Sequence, residues 1–189
     1  MERKIISISG THCTGKTTLI KALKRRLSRK DVNFVDLSSK GLSRFGLKIN
    51  EGGDFKSQLY FFCRKFMNYI EICATDDRHI IFDRSLIDTH IYSTYLFEQK
   101  CLTREEIRGL DNIMKISNEI VKFNKVYILQ PSFELVQEND RSMSNDFQLH
   151  MNNLFIEFYK RNRARGNIVE LMPPDTKDRI KIIREYLNL

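Results

Sequence analysis

The sequence lacks tryptophan, any C-x-x-C pair, any repeat or low-complexity tract, and any long apolar run. Each absence excludes something. No stretch approaches the ~18–20 apolar residues that a membrane-spanning helix needs. The four cysteines, Cys13, Cys63, Cys73 and Cys101, stand far apart, which argues against short zinc and redox motifs. They are expected to be reduced and mostly buried, Cys13 excepted. Without a linker or shift in composition, the 189 residues read as one domain over 1–189, long enough to bury a full α/β core. Met1-Glu2-Arg3-Lys4 leads straight into a β-branched segment, with no apolar leader. A cytoplasmic protein with no membrane partner is expected.

Charge is abundant and lopsided, at a net +8. Lys21, Lys24, Arg25, Arg26, Arg29 and Lys30 cluster early, and Lys160, Arg161, Arg163 and Arg165 late. A basic surface attracts nucleic acid. No basic patch is interleaved with aromatics here, so solvated helix faces are the preferred reading and nucleic acid is not the expected partner.

The most informative stretch is Gly10-Thr11-His12-Cys13-Thr14-Gly15-Lys16-Thr17, which fits G-x-x-x-x-G-K-[ST], the P-loop or Walker A pattern. Its glycines let successive backbone N–H groups turn inward onto phosphate oxygens. Lys16 brings positive charge to the β- and γ-phosphates and the Thr17 hydroxyl can ligate Mg²⁺, while the following helix adds its positive end. The binding stretch is thus Gly10, Thr11, His12, Cys13, Thr14, Gly15, Lys16, Thr17 and Thr18, with Cys13 a tolerated small residue whose backbone serves. The motif requires a strand before it and a helix after it. Ile5-Ile6-Ser7-Ile8-Ser9 reads as a buried strand, and Leu19, Leu23 and Leu27 mark one face of a helix.

Further along, Val32–Leu37 reads as a second strand, followed by a Gly-containing loop over 38–54. Phe55, Leu59, Phe62, Phe66, Tyr69, Ile70 and Cys73 hold a helical period. Gln58, Phe61, Phe62 and Lys65 on that helix are candidates to face a substrate, although an aromatic helix face also serves packing. His79–Phe82 reads as a third strand with Asp83 at its carboxyl end, the edge that faces ligands in open α/β sheets. Asp83 there suits a Mg²⁺-holding role, and Arg84 suits a phosphate or the oxygen that attacks one. His90 on the next helix reads as a packed or hydrogen-bonded histidine. Thr103-x-x-Glu106 is a capping box, Lys125–Gln130 a fourth strand, and Asn167–Met172 a fifth. Between these last two strands, a polar stretch around Asp140-Arg141-Ser142 is placed to act as a lid. Leu149, Asn153, Ile156 and Tyr159, with Phe155 and Phe158, mark a long helix that Gly166 ends, and Asp175 caps the last helix. Alternation of strand and helix predicts an α/β fold, a five-stranded parallel sheet covered on both faces.

The residues Ile8-Ser9-Gly10 through Leu19, then Phe82-Asp83-Arg84-Ser85, then Asp140-Arg141-Ser142 resemble the P-loop nucleoside and nucleotide kinases. The likeness is to the thymidylate-kinase and deoxynucleoside-kinase group and to NadR-type, ribosylnicotinamide kinase-like domains, and it covers nearly the whole chain. The resemblance implies a three-layer P-loop fold with a short lid at about 132–146 and ATP with Mg²⁺ as cofactors. It gives Lys16 the donor phosphates, Thr17 and Asp83 the metal, Arg84 the acceptor's phosphate or 5′ oxygen, and Arg141 the lid arginine. Asp36, one methylene shorter than the glutamate many members carry after the second strand, takes the base or acceptor-site position. The implied acceptor is a nucleoside or nucleoside monophosphate, and relatives suggest a homodimer. Two other classes compete. A P-loop ATPase or GTPase switch would follow Asp83 with a glutamate, where Arg84 stands, or complete N-K-x-D, where Asn124-Lys125-Val126-Tyr127 lacks the aspartate. A polynucleotide end-kinase rests on the positive charge alone.

Overall fold

The computed structural model describes residues 2–37, 45–131, 144–163 and 168–189. Arg141, nearly all of the expected lid, Arg165 and Gly166 lie outside the described residues. Five strands, β1 (Ile5–Ser9), β2 (Val32–Asp36), β3 (His79–Asp83), β4 (Lys125–Ile128) and β5 (Val169–Leu171), form one sheet in the order β2-β3-β1-β4-β5. All four pairings are parallel. The chain passes from β3 across β1 to β4, so the order reverses beside β1. Ligand crevices in such sheets open at the strands' carboxyl ends where the order reverses.

Strand alternation divides the core in two. Ile6, Ile8, Ile81 and Tyr127 face α1 (Lys16–Arg26) and α6 (Thr176–Leu187), meeting Leu19, Leu23, Ile183 and Leu187. Ile80, Phe82, Val126 and Ile128 face the opposite way. They meet α2 (Phe55–Thr75), α3 (Leu86–Glu98), α4 (Arg104–Ile120) and α5 (Asn145–Arg163) through residues such as Phe62, Leu96, Leu110 and Phe155. The three layers are those the alternation predicts. Helix starts are fixed by side chains that accept orphan N–H groups. Asp54 accepts from Ser57, Asp175 accepts from Lys177 and Asp178, and Thr103 with Glu106 closes the expected capping box.

Three expectations are corrected. The cysteines are not mostly buried: Cys63 and Cys101 are exposed and Cys13 and Cys73 half-buried, because Cys63 lies on the outward side of α2 and Cys101 in the turn after α3. Ile70 is exposed, since α2 turns Phe61, Phe62, Lys65 and Tyr69 inward instead. On α5, Leu149 and Asn153 face outward, and the core side carries Phe147, Met151, Leu154 and Phe155. Both helix errors come from several apolar residues on each side, which blurs the period.

Candidate functional site

The phosphate loop begins where β1 ends beside β4. Gly10 has φ 138°, and a Cβ there would fall far inside van der Waals contact with the carbonyl oxygen of Leu129. Only glycine fits. Gly15, at φ 80°, turns the chain into α1. Thr11, His12, Thr14 and Lys16 are buried, Thr17 half-buried and Thr18 exposed. The Lys16 ammonium donates to the carbonyls of Gly10 and Thr11 and to Thr14 Oγ1, so it lies folded over the loop it would share with a phosphate.

Two braces escaped sequence reasoning. Arg179 of α6 is fully buried and donates to Thr14 O at 2.7 Å and Pro173 O at 2.5 Å. Gln148 of α5 donates to His12 O at 3.0 Å, while the His12 ring lies against Phe147. Nothing in local spacing distinguishes Arg179 from the other basic residues of α6.

At the end of β3, Arg84 takes φ 72° and its N–H bonds Ile8 O at 3.0 Å. That turn sends its guanidinium back toward the phosphate loop, 3.5 Å from Gly10 O and 3.3 Å from Asp88 Oδ1. Asp88 is the residue that sequence reading left out. It accepts from Ser9 Oγ at 2.7 Å and from Ser85 N at 2.9 Å, closing a capping box at the start of α3. The signal was present as Ser85-x-x-Asp88. Burial opposes the Arg84 charge, but Tyr92, Asp88 and Asp83 outweigh it and raise the group above its ordinary value.

Arg84 and Asp88 also form the loop-side wall of a pocket completed by Lys65, Gln58 and Phe61 of α2, Thr89 and Tyr92 of α3, and Ile49 and Asn50. Of the four candidates on α2, Gln58, Phe61 and Lys65 line this pocket and Phe62 is core. Lys65 donates to Thr89 Oγ1 at 2.8 Å and Ser85 O at 3.1 Å. Burial pushes its ammonium down to about 8, with Asp88 raising it and Arg84 and Arg64 lowering it. The Tyr92 hydroxyl is buried near Arg84 and Thr11 without a hydrogen bond of good geometry, an open polar group at the pocket wall. Asp36 does not line this pocket. It stands opposite Asp83 across the β2–β3 pairing and, with Asp83, Thr17, Lys21 and Lys24, lines a second pocket on the α1 side. Burial raises Asp83, Arg84 and Lys16 lower it, and Asp36 and Asp88 raise it further. His90 faces Asp111 at 3.5 Å, away from the pocket.

A family model described as an AAA domain matches residues 5–179. The chain belongs to that family. This P-loop domain matches no curated protein, but solved structures share its fold. The NadR protein in complex with NR superposes with TM-score 0.77 at 16% identity, over 100% of this chain and 52% of that one. Deoxyadenosine kinase from M. mycoides with bound dATP gives TM-score 0.72 at 18% identity, over 99% of this chain and 100% of that one. NadR with NAD and AMP-PNP gives 0.69 at 15% identity. The domain therefore spans about half the length of NadR and the full length of the deoxyadenosine kinase. The expected P-loop kinase-like fold is the observed one. Among the described residues, no helix is long and apolar enough to cross a membrane.

Proposed function

We propose that this domain transfers a phosphoryl group from ATP–Mg²⁺ to a small acceptor, a nucleoside or nucleoside monophosphate. One observation carries the reading: Arg84 and Asp88 belong at once to the phosphate loop, through Gly10 and Ser9, and to the adjoining pocket. An acceptor in that pocket lies next to the donor phosphates, the proximity such transfer requires. The amides of Asn50 and Gln58 and the rings of Phe61 and Tyr92 are a suitable lining for a base and sugar. The likeness to solved nucleoside kinases adds support through the fold.

In this reading the loop N–H groups and Lys16 hold the donor phosphates. Arg84 steers the acceptor oxygen or phosphate and offsets charge on the transferring group, and Asp88 fixes Arg84's orientation. Such chemistry rests on positioning and charge neutralisation, with little covalent work by the protein. Thr17 and Asp83 would hold Mg²⁺. They line one pocket, and a hydroxyl with one carboxylate suits an ion that keeps its remaining positions for water and phosphate oxygens. The ion supplies charge neutralisation at those oxygens. Asp36 shares the pocket with Thr17 and Asp83, so in this reading it serves the ion rather than the acceptor hydroxyl.

The test is ADP release from ATP–Mg²⁺ with a panel of nucleosides, their monophosphates and nicotinamide riboside, with Lys16→Ala as control. One acceptor that stimulates release in the natural protein and not in the variant establishes the activity and its substrate. ATP turnover that no acceptor changes would instead favour the switch class.

A further inference from the structure

The pocket beside the phosphate loop holds more positive charge than its own residues balance. Lys65 is 7% exposed and has no ion-pair partner among the described residues. Two of its three N–H groups go to neutral oxygens, Ser85 O at 3.1 Å and Thr89 Oγ1 at 2.8 Å, and no described residue takes the third. Asp88 is the one carboxylate lining the pocket among the described residues, and it is saturated. Its Oδ2 accepts from Ser9 Oγ and Ser85 N, and its Oδ1 from Gly10 N at 3.5 Å and Arg84 Nη1 at 3.3 Å. Those four bonds fill the lone-pair sites of a carboxylate. Arg84 commits Nη1 to Gly10 O and Asp88, which leaves the rest of its fork facing the pocket and Tyr92. A buried ammonium and a guanidinium thus share one pocket with a single carboxylate.

We propose that the acceptor carries a phosphate monoester seated between Lys65 and Arg84, so that the pocket selects nucleoside monophosphates and rejects neutral nucleosides. This rests on the reading of the pocket as the acceptor site. A buried charge without a counter-charge is costly, and burial pushes the Lys65 ammonium down to about 8, with Arg84 and Arg64 adding to the effect and Asp88 and Asp83 opposing it. A phosphate dianion offsets that excess. The planar fork of Arg84 suits two of its oxygens, and Lys65 supplies a point charge to a third. A neutral nucleoside would strip water from Lys65 and return no charge, and the cationic ring of nicotinamide riboside would add to the positive excess. Phe61 and Gln58, one and two turns before Lys65 on α2, line the same pocket and remain for the base. The transfer chemistry agrees. A nucleoside hydroxyl must lose a proton as it attacks, yet Asp88 is saturated and Asp36 lines the other pocket. A phosphate monoester has its second pKa near ~6, so its oxygen carries no proton near neutral pH. That oxygen bonds to the γ-phosphorus, the bond from phosphorus to the β–γ bridging oxygen breaks, and ADP leaves with the electron pair, giving a nucleoside diphosphate.

The experiment is calorimetry on the full chain with the donor site filled by AMP-PNP–Mg²⁺. The probes are AMP, GMP, CMP and dTMP, their four parent nucleosides and nicotinamide riboside, at pH 8.5 in two buffers of different ionisation enthalpy. At least one monophosphate should bind about tenfold or more tightly than its parent nucleoside. Its binding should take up roughly half a proton or more, because Lys65 is mostly neutral in the free pocket at that pH and regains its charge beside the dianion. Lys65→Met should abolish both the preference and the proton uptake while staying folded by circular dichroism, and Lys65→Gln repeats the test where methionine does not fold. Equal affinity for nucleoside and monophosphate, absence of proton uptake, or a preference that survives both substitutions would each overturn the assignment. Nucleosides that bind and stimulate ADP release while their monophosphates do neither would also overturn it, and would leave the transferase reading standing. A monophosphate that binds with Lys65-dependent proton uptake but stimulates no ADP release would support the anion site and count against the transferase reading.

Discussion

Replacing Asp88 by asparagine tests the electrostatics of the pocket most directly. Asp88 is 1% exposed and its carboxylate touches Ser9, Ser85 and Arg84. Asparagine keeps the shape and one acceptor oxygen, so the helix cap survives in part, but the charge is lost between buried Lys65 and half-buried Arg84. Breaking a buried ion pair by removing one partner costs ~3–5 kcal/mol. Part of that loss depends on pH, through Lys65. Its folded value of about 8 lies below its ordinary 10.5, so burying its charge is a penalty of about 3 kcal/mol. That penalty is fully present below pH 8 and relieved as pH rises from about 8 toward 10.5. Asp88 holds the folded value up, so the asparagine variant drops it below 8. The deficit attributable to Lys65 is then greatest in mild acid, shrinks as pH approaches 8, and vanishes above it, where Lys65 is neutral in both folded proteins. The Arg84 share persists throughout. Urea unfolding of both proteins at pH 6.5 and pH 9 should therefore show a larger deficit at pH 6.5. A deficit under ~1 kcal/mol at pH 6.5, below the scale for buried pairs, or an equal deficit at both values, would refute the argument.

Three other expectations follow from the same geometry. Gly10→Ala should lose about 2–4 kcal/mol, from overpacking against Leu129 together with left-handed strain, as read by thermal unfolding. Arg179→Ala should cost about 3 kcal/mol by removing two hydrogen bonds from a buried cation, and should also weaken ATP binding in calorimetry, because Thr14 O loses its brace; unchanged nucleotide affinity would show the brace to be irrelevant to the loop. Arg141→Ala should slow turnover by up to on the order of 10³–10⁵ if the lid arginine acts on the transferring group, and near-normal turnover would remove Arg141 from the site.

The sequence determined what depends on near neighbours along the chain. A strand, a glycine turn and a helix within 27 residues make the phosphate loop, and both its glycines are where the backbone needs them, Gly10 against Leu129 and Gly15 at the helix start. Alternation of strands and helices fixed a parallel sheet, since parallel neighbours need a crossover. Asp83 and Arg84 could be picked out as candidates because a strand's carboxyl end has a known relation to the crevice. What the chain could not show alone is convergence. Lys65 and Asp88 are 23 positions apart and meet at one pocket only because α2 and α3 cross the same sheet face there. Arg179, 165 positions from Thr14, reaches the loop because α6 packs beside α1. Asp36, assigned to the acceptor by likeness to relatives, lines the pocket on the α1 side with Thr17 and Asp83, a placement set by which way β2 directs its side chains. Which side of α2 and α5 is buried was decided in the same way. With apolar residues on both sides, periodicity is degenerate, and the choice falls to whichever face the sheet and neighbouring helices can cover most completely.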